Sequence, residues 1–280
     1  MRSLDKEEAC LKRFGDLSFA IIGAGGMARI LVKILRWRAA RLSIISRSLE
    51  KAKRFSRRMK VSYSTIDELG EYDAVILTAP PQHLPEVAQR ISPRLREGCL
   101  VMDVSSVKLG VVEKVLERLP ERVEYLSVHP LFGPATRKLA GNRIVLIPIR
   151  GESYLDELKA LFEDAGLKVV FSTPEEHDRI MAFIQVAHHL SYLSLALTLW
   201  ERDSEIVRDY ATRSLRRTLR MFRSLSGNLR VIREIAGSNS YGGEAAEALK
   251  ASIDRLMKLD EDAWSRVEEA LKTLPEKALP

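Results

Sequence analysis

The apolar positions of this chain fall into two regimes that meet near residue 172. Before that point, short runs rich in Val, Ile and Leu alternate with amphipathic stretches. LSFAIIG, RLSIISR, YDAVILTAP, CLVMDVSS, VEYLSVH, NRIVLIPI and KVVFST have the length and residue types of buried strands. MARILVKILRW, SLEKAKRFSRR, LPEVAQRISPRL, KLGVVEKVLERL and YLDELKALFEDAG carry the spacing of helices packed by one face. The alternation predicts an α/β, Rossmann-type, doubly wound and mostly parallel sheet over residues 17–172, after an N-terminal segment 1–16.

The second regime opens at STPEEHD, which combines three helix-start signals. Thr173 is the N-cap, Pro174 takes the first helical position and Glu176 follows three residues after the cap. From there helical spacing runs to the end, interrupted at 226–228 and 236–243, so residues 173–280 are expected to form an all-α domain. The longest lightly charged run, residues 181–200, holds Gln185, His188 and His189 near its middle. A bilayer makes those residues expensive, so the run reads as a helix of a protein core or subunit interface and not as a membrane span.

Composition narrows the class. At 46% hydrophobic and 30% charged residues, the 280-residue chain reads as a soluble globular protein. Its net charge of +7 is densest over residues 51–60 and 213–223. Without a zinc pattern or an aromatic strand motif, these clusters read as solvated helix faces, or as attraction for a small anion, and no nucleic-acid partner is expected. Two cysteines, Cys10 and Cys99, are too few and too far apart for a disulfide framework, and the start of the chain is charged with both signs. Both features fit a reducing cytoplasm.

Chemistry then enters at the strand ends. FAIIGAGGMA places Gly23, Gly25 and Ala28 in a G-x-G-x-x-A pattern between a strand and a helix. The first glycine permits the turn, the second lets a pyrophosphate reach the backbone, and Ala28 lets helix and strand approach. Gly26 and Met27 open the helix whose amides face the phosphates. An acid at the end of the second strand would favour NAD, yet the chain reads Ser46-Arg47-Ser48 there. Hydroxyls and a guanidinium suit a 2′-phosphate, so NADP is expected over NAD. Thr78 and Pro80 follow the fourth strand, Ser105 and Ser106 the fifth, and His129 the sixth. His129 can accept a proton from a hydroxyl as hydride leaves the same carbon; on its own it reads equally well as a turn histidine. In the helical half, Gln185 and His189 lie one turn apart on one face, and Arg223 suits a carboxylate.

Four motifs, IIGAGGMA, MDVSSVK, SVHPLFGP and TPEEHDRIMAFIQVAHHLSYL, stand in an order that resembles the prephenate/arogenate dehydrogenase family of tyrosine biosynthesis, in an archaeal-like short form; RMFRSLSGNLRVIREI is a fifth, less specific one. The resemblance implies oxidative decarboxylation of prephenate to 4-hydroxyphenylpyruvate, or of arogenate, by a homodimer joined through its helical domain. It implies that Ser106 and His129 bind the ring hydroxyl, with His129 as base. It also implies that His189 orients the substrate and Arg223 holds a substrate carboxylate, with Ser105 and Gln185 nearby. Two rivals remain at this point: a β-hydroxyacid-type NADP oxidoreductase using Lys108, and a dinucleotide-sensing or nucleic-acid-binding protein.

Overall fold

The structure, a computed structural model, describes residues 16–202 and 204–278; Cys10 and the expected segment 1–16, apart from its last residue, lie outside it. The chain divides into two compact units, one ending at Glu176 and the other starting at His177.

The first unit is built on an eight-stranded sheet. In chain order it contains β1 (Ser18–Ile22), α1 (Gly26–Leu35), β2 (Arg41–Ile45), α2 (Leu49–Met59), β3 (Ser62–Tyr63) and β4 (Ala74–Leu77). There follow α3 (Leu84–Ile91), β5 (Leu100–Asp103), α4 (Val112–Leu116), β6 (Glu124–Pro130), β7 (Arg143–Arg150), α5 (Leu155–Asp164) and β8 (Lys168–Phe171). The spatial order is β3-β2-β1-β4-β5-β6-β7-β8. Its first six strands run parallel in the order of a dinucleotide-binding sheet.

Helices cover both faces, and side-chain alternation divides the core accordingly. Phe19, Ile21, Ile76, Leu100 and Met102 join one buried cluster with α1 and α5. Ala20, Val75, Leu77 and Val101 join the other with α3 and α4. This explains why these strands read as continuous apolar runs.

The sheet departs from expectation at one edge. β7 pairs antiparallel with β6, and β8 runs parallel to β7. The reason lies in residues 131–142, which contain no helix. A parallel return needs a crossover that carries the chain back along the sheet, whereas this segment turns at the end of β6 and starts the next strand there. β3, only two exposed residues long, also escaped the sequence pattern.

The second unit is all helical. A continuous helix spans Pro174–Trp200, divided into α6 (Pro174–Met181), a π-helical segment Ala182–Ala187 and α7 (His188–Trp200). Thr173 Oγ1 accepts the Glu176 amide at 3.2 Å, as its capping role requires. The Glu176 carboxylate turns instead to the Ser172 hydroxyl at 2.9 Å. Beyond lie α8 (Ser204–Tyr210), α9 (Arg213–Ser226), α10 (Leu229–Ser238), α11 (Gly242–Met257) and α12 (Glu261–Ala278).

α10 and α11 pack on the π segment, where a Cβ at Gly242 would lie 3.6 Å from Val186. A buried polar set fixes their connection. His177 Nδ1 bonds Asp178 Oδ1 at 2.7 Å, Asn239 donates to the Asp178 carbonyl at 2.9 Å, and Tyr241 N–H donates back to Asn239.

Among the described residues, the Pro174–Trp200 helix is long and apolar enough to cross a membrane, and only 17% of its most apolar window is buried within the chain. Of the two expected settings, a core or a subunit interface, the single chain does not supply a core for α7, which contains no buried residue.

Candidate active site

Pairing register lines up the strand ends that matter. Ile22 pairs with Leu77, Leu77 with Asp103 and Asp103 with Ser127, in one row across β1, β4, β5 and β6. The residues just past that row are Gly23, Thr78, Ser105-Ser106 and His129. In such a sheet the ligand crevice lies outside these carboxyl ends, where the strand order reverses beside β1.

The glycine turn fits a dinucleotide. Gly23 has φ +129°, and a Cβ there would fall 2.0 Å from Thr78 Oγ1, so only glycine is accommodated. The Thr78 amide bonds the Ile22 carbonyl at 3.0 Å, which fixes that approach. Gly25 is exposed, and a Cβ there would meet nothing within 4 Å, which leaves the α1 N-terminus open to a phosphate. No side chain caps α1 and no acid stands in its first turn. Ala28 is fully buried under the turn. Met27 is half-buried. At Gly26 a Cβ would lie 2.5 Å from Pro134, in the segment that follows His129, so that approach needs a glycine.

At the end of β2, Ser46 is half-buried while Arg47 and Ser48 are exposed. Ser48 caps α2 by accepting the Lys51 amide at 3.3 Å. A groove of about 460 Å³ along α2 is lined by Ser48, Glu50, Lys51, Lys53, Arg54 and Arg57. No acid ends β2, and the groove presents four cations, the Ser48 hydroxyl and the Glu50 carboxylate. Pro80 is exposed beyond Thr78.

At the β5 and β6 ends, His129 is buried with 3% of its surface exposed, and Ser106 is half-buried. Under them lies a dry polar cluster. Tyr125 donates to Asp103 Oδ2 at 2.8 Å. The Ser105 amide donates to Asp103 Oδ1 at 2.8 Å, and the Ser105 hydroxyl donates to the same oxygen. Lys108 Nζ stands 3.7 Å from that carboxylate. Burial opposes ionisation of Asp103, but the Lys108 ammonium and the Ser105 and Ser127 hydroxyls outweigh it and hold the pKa below the usual carboxylate value. Burial first, then the Asp103 charge, push the Tyr125 phenol far up, which makes it a permanent donor. The Ser105 hydroxyl also lies 2.9 Å from the Val107 carbonyl, so its described bonds all fall within this cluster.

In the helical unit, Gln185 sits in the π segment and His189 in the first turn of α7. Gln185 Oε1 and His189 Nδ1 are buried without a hydrogen-bond partner among the described residues. Burial, then neighbouring His188, lower the His189 pKa, so its ring is neutral at pH 7. π segments concentrate at functional positions, and no sequence pattern announced this one. Arg223 is exposed near the end of α9, with no acid bonded to it among the described residues.

The six parallel strands, the glycine turn and the helical second unit define a two-domain protein of the dinucleotide-binding type. Within that class the chain belongs to the prephenate dehydrogenase family. Residues 31–171 match that family's nucleotide-binding domain and residues 173–273 its dimerization domain. A probable arogenate/prephenate dehydrogenase of Methanocaldococcus jannaschii is 29% identical over 197 residues, which are 68% of this chain and 44% of that protein. The chain thus spans less than half the length of that relative. Among solved structures, prephenate dehydrogenase of A. aeolicus, in complex with hydroxyphenyl propionate and NAD+, superposes with TM-score 0.77 at 22% identity, over 93% of this chain and 96% of that one. Synechocystis arogenate dehydrogenase gives TM-score 0.74 at 20% identity, over 93% and 98%.

Proposed function

We propose that this chain is a prephenate dehydrogenase with NADP as its preferred hydride acceptor, and that it groups with the archaeal-like members of the family. The observation that carries the reaction is His129, buried at the carboxyl end of β6 beside the β5 end that bears Ser106. Prephenate has a hydroxyl and a hydrogen on one ring carbon and a carboxylate on the carbon opposite. A nicotinamide bound at the β1 and β4 ends would supply the acceptor for that hydrogen as hydride. His129 accepts the hydroxyl proton as the carbon becomes a carbonyl, and Ser106 hydrogen-bonds the oxygen. Loss of the ring carboxylate as carbon dioxide sends its electron pair through the ring to that oxygen, which recovers the proton from His129. The products are 4-hydroxyphenylpyruvate, carbon dioxide and the reduced cofactor. Aromatisation drives the step, so the chain's residues have mainly to position the substrate and hold one proton.

In this reading Gln185 and His189 address the substrate with the polar atoms left unmatched in the helical unit, and Arg223 pairs with a substrate carboxylate. Ser46, Arg47 and Ser48 favour the 2′-phosphate. The uncovered faces of α7 and α9, neither of which has a buried residue, together with the match to a dimerization domain, support a homodimer. Cys99, a buried free thiol whose pKa burial pushes up to about 12, suits a reducing cytoplasm. The rival oxidoreductase loses its donor, because Lys108 is fully enclosed. Arogenate, with an amino acid side chain where prephenate has a keto acid, remains the second substrate to assay, since the M. jannaschii relative is named for both.

The test is purified protein with prephenate or arogenate and NADP or NAD, following reduced cofactor, alongside His129→Ala. Prephenate turnover that drops about a thousandfold in kcat in the variant is the expected result. Undiminished turnover in the variant would remove His129 as base, and faster turnover with NAD would overturn the cofactor preference.

A further inference from the structure

Lys108 is the one lysine or arginine that is buried among the described residues, with none of its surface exposed. Enclosing an ammonium is expensive unless every donor is matched. Its Nζ donates to Ser127 Oγ at 2.7 Å, to the Ser105 carbonyl at 2.8 Å and to the Val128 carbonyl at 2.9 Å. These three bonds match the three N–H groups of an ammonium. The counter-charge is Asp103, which Tyr125 and the Ser105 amide also hold.

The identity of the two carbonyls is the informative point. The Ser105 carbonyl belongs to the peptide unit that enters Ser106, and the Val128 carbonyl to the unit that enters His129. Ser106 lies past the end of β5, where no strand ladder fixes it, and His129 is next to the last residue of β6. One buried cation therefore bonds both segments immediately before their reacting residues. A lysine that served stability alone could meet any pair of oxygens, and a well-packed apolar residue would replace it at little cost.

We propose that Lys108 is a positioning residue for the dehydrogenation: held by Ser127 and balanced by Asp103, its ammonium fixes the peptide units leading into Ser106 and His129 and so sets the distance between the two. The inference rests on the roles given to Ser106 and His129 above. It assigns Ser105, Ser127 and Asp103 to the support of that spacing and gives none of them contact with substrate.

The test compares wild type, Ser127→Ala and the double variant Asp103→Asn/Lys108→Met, which removes both charges together and leaves neither one buried alone. Steady-state kinetics with prephenate are paired with an NMR titration of the histidine rings, with His129 assigned through His129→Asn. The expected result is a folded double variant with kcat lower by about a hundredfold and cofactor KM changed by less than about threefold. Ser127→Ala should lose about tenfold in kcat. In both, the His129 titration midpoint should move.

A folded double variant with kcat within about twofold of wild type and an unmoved His129 midpoint would overturn the proposal. Should the double variant not fold, Ser127→Ala decides by the same two readouts. If wild type turns over neither prephenate nor arogenate, the proposed reaction fails. The positioning role then stands or falls on the His129 titration alone.

Discussion

The β5 and β6 ends and the π segment with the first turn of α7 solve the same problem in opposite ways. Each puts polar side chains where water is scarce. Around Asp103, four groups of the chain itself converge on one carboxylate, and the neighbouring ammonium has a partner for each proton. At Gln185 and His189, two buried atoms one helical turn apart have no partner among the described residues. Lack of a partner is not sufficient evidence of a ligand site, since Ser43 Oγ and Tyr72 OH share it inside the first unit. What sets the second pair apart is its place in a π segment on a helix whose apolar surface is largely uncovered. The first region is a scaffold that the chain completes alone; the second has the character of a surface completed by something that binds.

The largest effect should come from breaking the completed region on one side only. Asp103→Asn leaves the Lys108 ammonium buried without its counter-charge, and urea unfolding at pH 7 should show a loss of about 3–5 kcal/mol. Adding Lys108→Met to that variant should recover most of it. The sign of the pH dependence follows from the lowered Asp103 pKa. In wild type the contribution of the carboxylate is fully present above the ordinary aspartate pKa and is lost as pH falls through the lower folded value. The double variant should therefore show a shallower loss of stability in acid than wild type. Equal acid slopes would mean that Asp103 is not the group being titrated.

That comparison also marks how far the sequence could be read. The central strands β1, β4, β5 and β6 were legible because both faces of the sheet are buried there, which turns them into apolar runs. The glycine turn was legible because Gly23 answers a steric demand that no other residue type meets, and Gly25 and Ala28 follow it at fixed spacing between a strand and a helix. The reversal of β7 was not, because a strand's side-chain pattern is the same in either direction and only the helix-free residues 131–142 separate the two cases. Ser105 and Ser106 are alike as letters; burial, which depends on β5 and β6 lying side by side, assigns them different work. Lys108 read as a rival's proton donor for the same reason: its environment is made by Ser127 and Val128, whose proximity only the sheet register reveals. The π segment has no residue code at all.

A smaller effect is expected from the uncovered side of the second region. Leu197 and Trp200 of α7 are 56% and 75% exposed in the single chain. Burying a leucine side chain is worth about 1.5–3 kcal/mol. If a second copy covers this face, Leu197→Glu should raise the dimer dissociation constant by at least about tenfold, measured by sedimentation velocity across a concentration series. A surface leucine outside any interface would leave the constant unchanged. That outcome would move the dimer contact away from α7 while leaving the chemistry at β5 and β6 untouched.

The smallest effect, and the one that sharpens the contrast most, is expected at Gln185. A buried polar atom without a partner costs about 1–3 kcal/mol, so Gln185→Leu should raise the unfolding free energy of the ligand-free protein by about 1 kcal/mol. Neutral His189 beside it, held uncharged by burial and by His188, should be affected little. If the amide oxygen is kept for substrate, the same variant should bind prephenate more weakly, with KM up several-fold and kcat nearly unchanged. A gain in stability coupled to a loss in binding separates a ligand site from a packing flaw, which gives the gain alone. A loss of stability would show that the oxygen already has a partner in the assembled enzyme. The incompleteness seen in one chain would then be an interface waiting for its second copy.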